Sequence, residues 1–209
     1  NFSGANDTPI VSAPSAITLS DTTASDSFSP VTGTIAATDA DSQSLSYSIS
    51  GSTAASFTSS AAGSSITYDL QKAGTYGTLY IKSSTGQYIF VPASNASLNA
   101  LTASGSESFT VNASDGSSSG SSTLSVNFSG ANDTPIVSAP TAISLSDTAA
   151  TDSFSPVTGT IAATDVDSAS LSYSISGSTA ASFTSSASGS SVTYDLQKAG
   201  TYGTLYIKS

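Results

Sequence analysis

Aspartate is the residue type whose positions in this chain are ordered enough to carry chemistry. Thirteen of the 14 acidic residues are Asp, and a group of four falls in turn-like contexts at the ends of predicted strands, namely Asp7, Asp39, Asp41 and Asp115. Carboxylate and carbonyl oxygens in turns are the ligands that Ca²⁺ prefers, and the ion takes about six to eight of them. The single-residue gap between Asp39 and Asp41 lets both carboxylates face one ion. The residues alone leave two interpretations open, a calcium site or aspartates that each cap their own turn, and each Asp taken singly favours the second.

Residues that serve in catalysis are scarce. The chain has no His and no Cys, so the common general bases, thiol nucleophiles and zinc ligand sets are missing. Glu107 is the single Glu, whereas a glycosidase of the usual kind needs two facing carboxylates. We therefore predict that the protein is not an enzyme.

The charge balance argues against further classes of function. Four basic residues against 14 acidic ones give a net charge of −10 at pH 7, which repels nucleic acids and anionic membrane surfaces and favours cations. No apolar run approaches the roughly 20 residues that a membrane-spanning helix needs. We expect neither nucleic-acid binding nor membrane insertion for this segment.

A long internal repeat sets the domain organisation. Residues 1–83 align without gaps to residues 127–209 with eight substitutions, each a small change, so the two copies are expected to share one fold. The predicted organisation is the end of a preceding repeat with a linker at 1–9, a first domain at 10–131, a linker at 132–135, and a second, C-terminally incomplete domain at 136–209.

Hydrophobic residues alternate with polar ones, as is typical of half-buried strands. The clearest alternation sets Leu45, Tyr47 and Ile49 against serines. Further strands are predicted at Ile66 to Leu70, Phe109 to Val111 and Leu124 to Phe128, with weaker runs at 16–20 and 32–38, and residues 77–83 and 87–91 predict a β-hairpin closed by Ser84-Thr85-Gly86.

This density of strands predicts the fold class. About eight strands per repeat indicate an all-β fold of tandem antiparallel β-sandwich domains with immunoglobulin- or cadherin-like Greek-key connections. The Ser-Gly run at 114–122 is interpreted as a loop inside the domain, because an alternating strand follows it. Tyr80 and Tyr88, on the two hairpin strands, are expected to pack across the strands rather than to form a sugar-binding platform.

Several short motifs occur in an order that resembles cadherin-type repeats, and more closely the VCBS repeat, a bacterial cadherin-like module of large secreted adhesins. The likeness covers residues 1–126 and the part of the second copy that is present. Its motifs are "NDTP" at Asn6 to Pro9, Asp-x-Asp followed by "LSYSI" at Asp39 to Ile49, "YGTLYI" at Tyr76 to Ile81, "GQY" at Gly86 to Tyr88, "SFTVNASDG" at Ser108 to Gly116, and the next "NDTP" at Asn132 to Pro135.

The resemblance implies a Ca²⁺ site at the leading end of each domain. The family's Leu-Asp-Arg-Glu motif, which contributes ligands from the preceding domain, is absent, so we expect fewer ions per joint than in cadherins. By motif, the first site would consist of Asn6, Asp7, Asp39, Asp41 and Asp115, and most of the second of Asn132, Asp133, Asp165 and Asp167, with Asp21, Asp26 or Asp69 as additional candidate ligands.

The function implied by the resemblance is a non-catalytic extender of an extracellular, cell-surface adhesin, with Ca²⁺ stiffening the joints between neighbouring repeats of the same chain. One alternative is a subunit of an extracellular filament or surface layer, in which another copy of the protein donates strands to the second repeat. That repeat reaches Ser209 without a counterpart of residues 84–126. The other alternative is a module that binds glycans or proteins. Near identity of the copies favours the extender, because a chain selected for length gains from copying one module.

Overall fold

The computed structural model describes residues 4–41 and 44–209. Residues 1–3, at the start of the predicted segment 1–9, and residues 42–43, inside the motif from Asp39 to Ile49, lie outside the described residues. The chain divides into two compact units, Asn1–Thr134 and Pro135–Ser209. Each unit has its own sheets.

Strands dominate the first unit, because apolar and polar residues alternate along most of its segments. One short helix, α1, begins after Ser94, whose side chain accepts a hydrogen bond from Ser97 N–H. The elements are β1 Ile10–Val11, β2 Ile17–Ser20, β3 Val31–Thr34, β4 Ala37–Thr38, β5 Ser46–Ile49, β6 Thr53–Ser59, β7 Ile66–Ala73, β8 Gly77–Ile81, β9 Gln87–Pro92, α1 Asn95–Asn99, β10 Gly105–Ser114 and β11 Ser119–Ser129.

Two sheets enclose the core of the first unit. Their strand orders are β2-β11-β10-β5 and β3-β9-β8-β7-β6, while β1 and β4 form a separate pair. Leu79 and Phe90 from one sheet and Val111 and Leu124 from the other belong to one apolar cluster, and each is 0% exposed. The predicted all-β sandwich class is therefore confirmed. None of the described helices is long and apolar enough to cross a membrane.

The pairing of β2 with β11 differs from the antiparallel expectation. These strands run parallel, with Ile17 opposite Val126 and Ser20 opposite Ser129. The remaining strand pairs of the two large sheets are antiparallel. This pairing joins an early strand to the last strand of the unit, far along the chain. The alternation of apolar and polar residues within a strand does not reveal such a partner.

The hairpin of β8 and β9 is confirmed, with Gly86 at φ +72° in its turn. The predicted loop at 114–122 is wrong in extent, since β10 continues to Ser114 and β11 begins at Ser119. Glycine is depleted in strands. Here the ladder continues through the Ser-Gly run because each residue from Ser119 to Phe128 has a partner on β10.

The expected packing of Tyr80 against Tyr88 is wrong. The register sets Tyr80 opposite Ile89 and Ile81 opposite Tyr88, so the two tyrosines project to opposite faces of the sheet. Tyr88 belongs to the main core. Tyr80 instead stacks on Phe57 with ring centroids 4.3 Å apart.

Fewer strands form in the second unit. They are β12 Ile136–Val137, β13 Ala163–Thr164, β14 Thr179–Ser185, β15 Val192–Gly200 and β16 Gly203–Ile207. They pair as β12-β13 and β14-β15-β16, as β1-β4 and β6-β7-β8 do in the first unit. The sequences matching β2, β3 and β5 are not assigned as strands, because the partners of those strands in the first unit all lie within residues 84–129. Apolar residues that are buried in the first unit are exposed in the second: Leu145 is 48% exposed, whereas its counterpart Leu19 is 5% exposed.

Candidate metal centre

The leading segment, residues 4–9, runs into a strand that lies beside the aspartate pair. β1 begins at Ile10 and pairs with β4, and Asp39 follows β4 directly. Because Asp7 precedes Ile10 by three residues, this short ladder brings Asp7 towards the turn that carries Asp39 and Asp41.

Asp7 and Asp41 are in direct contact. Asp7 N–H donates to Asp41 Oδ2 at 2.6 Å, although the two residues are 34 positions apart. Asp41 N–H in turn donates to Asp39 Oδ1 at 3.0 Å. Three of the predicted ligands thus form one hydrogen-bonded chain in which backbone N–H groups face carboxylates.

Asn6 connects the leading segment to the turn between β10 and β11. Its Nδ2 donates to Asp115 Oδ2 at 2.9 Å and to Ser118 Oγ at 3.2 Å. The same nitrogen donates to the backbone oxygen of Asp7 at 2.7 Å. Asn6 therefore connects the leading segment to Asp115, which lies 109 positions later in the chain.

The β10–β11 turn is organised around the Asp115 carboxylate. Asp115 Oδ1 accepts from Ser117 N–H at 2.6 Å and from Ser118 N–H at 2.7 Å, and Gly116 takes the left-handed φ of +96° that this turn requires. The hydrogen bonds from Ser118, from the Asn6 side chain and from Ser117 lower the pKa of Asp115. The carboxyl is therefore ionised at neutral pH, as a metal ligand must be.

The residues predicted for the first site are connected by hydrogen bonds at one end of the repeat, and their oxygen atoms are of the kind that Ca²⁺ binds. Within residues 4–41 and 44–209, however, no three acidic side chains are grouped closely enough to hold an ion as they stand. The carboxylates of Asp41 and Asp115 face N–H and NH₂ groups instead. These donors present the positive ends of their dipoles, which is the role that a cation would take.

The predicted second set is divided between the two units. In the first, Asn132 Nδ2 donates to the backbone oxygen of Asp133 at 2.7 Å, the contact that the first copy of this motif also makes. In the second, Asp165 Oδ1 accepts from Asp167 N–H at 3.0 Å and from Ser168 N–H at 2.7 Å. Each half thus repeats one contact of the first copy, Asn6 with Asp7 in the one and Asp41 with Asp39 in the other.

Two of the additional candidate ligands, Asp21 and Asp26, lie away from the first site, and the third, Asp69, has a partner outside the predicted set. Asp69, in β7, accepts with both oxygens from Ser83. Asp21 and Asp26 follow β2, which pairs with the last four residues of β11, whereas Asp115 precedes the start of that strand. β11 has 11 residues, and at about 3.4 Å per residue it separates the two ends by roughly 35 Å.

Two residues of this site were not among the predicted ligands. Ser117 and Ser118 supply the N–H groups that hold Asp115, and Ser118 Oγ contacts Asn6. Asp followed by Gly-Ser-Ser is a signal for an Asx turn, which would have identified the N–H donors. The contact with Asn6 has no local signal, because it depends on how the repeat folds.

Comparison with models of protein families finds no match, and comparison with curated proteins finds none either. The resemblance to cadherin-like repeats therefore rests on the motifs and their order.

Proposed function

We propose that the protein is a structural extender, a tandem array of β-sandwich repeats of an extracellular, cell-surface adhesin, in which Ca²⁺ binds at the leading end of each repeat and stiffens the joint. The observation that carries the proposal is the contact of the leading segment with two separate turns, through Asp7 with Asp41 and through Asn6 with Asp115. A turn aspartate that only caps its own backbone needs no such long-range partner.

The charge of this group favours a cation. Asp7, Asp39, Asp41 and Asp115 contribute four carboxylates at one end of the repeat. Two of these carboxylates drawn to about 4 Å around a shared site would repel each other by about 1 kcal/mol in water and about 4 kcal/mol at an effective dielectric near 20. A divalent ion would remove this repulsion and replace the N–H donors, and Asn6 would turn its amide to offer its carbonyl oxygen.

Bound Ca²⁺ would tie the leading segment to both turns at once. Extracellular calcium modules bind with dissociation constants of about 0.1 to 1 mM, and a tenfold excess of ligand stabilises the bound state by about 1.4 kcal/mol. A contribution of this size stiffens a joint and stays reversible.

Repetition supports an extender over a recognition module. The same residue types recur at Asn132, Asp133, Asp165 and Asp167, and the proposal assigns them the same role for the second repeat. A chain gains length by copying a module almost unchanged, whereas a binding site is usually needed once.

Calorimetric titration of the full chain with CaCl₂ tests the metal site. We expect binding in the range of about 0.1 to 1 mM and a loss of at least about tenfold in affinity in the double variant Asp39→Asn, Asp115→Asn. The control is Asp195→Asn, which removes one charge from an exposed position in β15 and should leave the affinity unchanged. Absence of calcium binding at millimolar concentration would contradict the proposal.

Small-angle scattering tests the stiffening separately. The full chain is measured with Ca²⁺ and after addition of a chelator, and we expect a broader distribution of distances without the ion. If calcium binds but the scattering curves superimpose, the ion has a local role and the joint mechanism is wrong.

A further inference from the structure

The segment that leaves the first sandwich lies against the loop that follows β2. Asp21 N–H donates to Ser129 O at 2.8 Å, which extends the parallel ladder by one residue beyond the ends of β2 and β11. Two residues further on, Ala131 N–H donates to Asp21 Oδ2 at 3.2 Å. Thr134 N–H then donates to Thr23 O at 3.1 Å. Contact with the loop thus continues for five residues after β11 ends.

The loop is itself fixed to the body of the domain. Thr22 N–H donates to Asp26 Oδ2 at 2.6 Å, which closes the loop on itself. Asp26 N–H donates to Asn99 Oδ1 at 2.8 Å, and Asn99 Nδ2 donates back to Asp26 O at 3.0 Å and to Asn95 O at 2.8 Å. Because Asn99 is 4% exposed, the loop is held by a buried side chain of α1.

Asp21 is a buried side chain that accepts a hydrogen bond from the exit segment. It is 6% exposed, and a buried carboxylate is costly unless it accepts hydrogen bonds. Its Oδ1 accepts none from the residues that the structure describes, so Ala131 N–H is the donor that these residues provide to the carboxylate. Loss of that bond would leave the buried charge without compensation.

Close packing guides the segment into this position. A Cβ atom added to Gly130 would lie 2.1 Å from Leu101 O and 2.8 Å from Ala103 O, so only glycine allows the backbone to pass. The chain therefore turns towards Asp21 without a side chain at this point.

We propose that residues 21–26 and 130–134 form an exit latch, in which Asp21 is a positioning residue that fixes the direction of the chain as it leaves the first sandwich. The latch consists of contacts within the first unit and needs no metal. The latch goes beyond the calcium mechanism, because it means that contacts within the first repeat, as well as a bound ion, hold residues 130–134 in place. Residues 130–134 then belong to the first domain, and the residues that the latch does not hold begin at Pro135.

Amide hydrogen exchange of the full chain, followed by NMR, tests the latch. In Asp21→Ala we expect the Ala131 amide to exchange about 10- to 100-fold faster, since hydrogen bonds to charged groups are among the stronger ones, while the Val126 amide in β11 stays protected. The matched control is Asp147→Ala, the equivalent residue in the similar local sequence of the second copy, where it is exposed. That variant should leave Ala131 unchanged.

Asp21→Asn is a second variant in case Asp21→Ala does not fold, because it keeps an acceptor oxygen in a side chain of the same size. Faster exchange at Ala131 with Val126 still protected, in either variant, supports the latch. Equal increases at both amides in both variants, or no increase at Ala131 in Asp21→Ala, would overturn it. Loss of protection at Ala131 in the unmodified chain on adding a chelator would also overturn it, because a latch made of protein contacts survives metal removal. Calcium affinity does not enter this readout, so the latch and the calcium mechanism can fail independently.

Discussion

Substituting the equivalent leucine in each copy separates two contributions to stability, that of burial in the core and that of the local sequence. Leu79 in β8 and Leu205 in β16 occupy identical "GTLYI" segments. Leu79 is 0% exposed, whereas Leu205 is 51% exposed. The difference arises because β8 lies between β7 and β9, while β16 pairs with β15 alone among the described strands.

The expected magnitudes follow from burial. Leu79→Ala leaves a cavity between the sheets, which costs about 3 kcal/mol in the free energy of unfolding of the first unit. With a urea m-value of about 2 kcal/mol per M, the unfolding midpoint falls by about 1.5 M. Leu205→Ala removes a half-exposed side chain, which costs the second unit about 1 kcal/mol and should leave the first unit unchanged.

Urea unfolding monitored by the Phe90 amide signal reports the first unit alone, because residues 84–126 have no second copy in the chain. The reasoning is refuted if Leu79→Ala moves the Phe90 midpoint by less than about 0.5 M, or if Leu205→Ala moves it as far as Leu79→Ala does. Either result would mean that the two sheets do not share the core described above.

Two further predictions use other features of the first repeat. Gly33→Ala should destabilise the first unit by about 1 to 3 kcal/mol in urea unfolding, because the added Cβ would lie 2.4 Å from the Tyr88 ring. The control is the counterpart Gly159→Ala, whose Cβ would meet nothing within 4 Å and which should have little effect. Equal effects of the two substitutions would contradict the packing of Gly33 against Tyr88. The lowered pKa of Asp115 means that its contribution to stability is present above the unfolded pKa of about 3.9 and is lost as the pH falls through the folded value. NMR titration of the Asp115 carboxyl carbon should therefore give a midpoint below about 3.9, and a midpoint at or above this value would show that the Asn6, Ser117 and Ser118 hydrogen bonds are not formed.

Alternation in the sequence predicted the strands that carry large apolar residues. Val111, Leu124 and Phe128 are buried as expected, because period-two patterns report burial on one face directly. β6 was missed because its residues, Thr53–Ser59, are mostly small and a bulge between Ala54 and Phe57 breaks the period. The helix α1 was missed as well, since five residues are too few to show a helical period.

The motif order selected residues of the first set that form hydrogen bonds with one another, but it did not predict which atoms make those bonds. Asn6 and Asp115 lie 109 positions apart, and no local rule pairs an amide with a carboxylate over that distance. The role of Asp21 was equally hidden, because its burial depends on the path of Ala131 after β11. Whether a cation replaces the N–H donors at Asp41 and Asp115 stays a prediction for calorimetry.

The parallel pairing of β2 with β11 has a consequence for the order of folding. Ile17 meets a partner at Val126, 109 positions later, so the sheet of the first repeat cannot close until nearly the whole repeat has been synthesised. Near-identical neighbours create a hazard at this step, since β11 fits residues 143–146 of the next copy almost as well as it fits β2. Synthesis from the N-terminus limits the hazard from the following copy, because residues 119–129 emerge before residues 143–146 do. The order in which the chain emerges thus protects correct pairing where the sequence alone barely distinguishes one copy from the next.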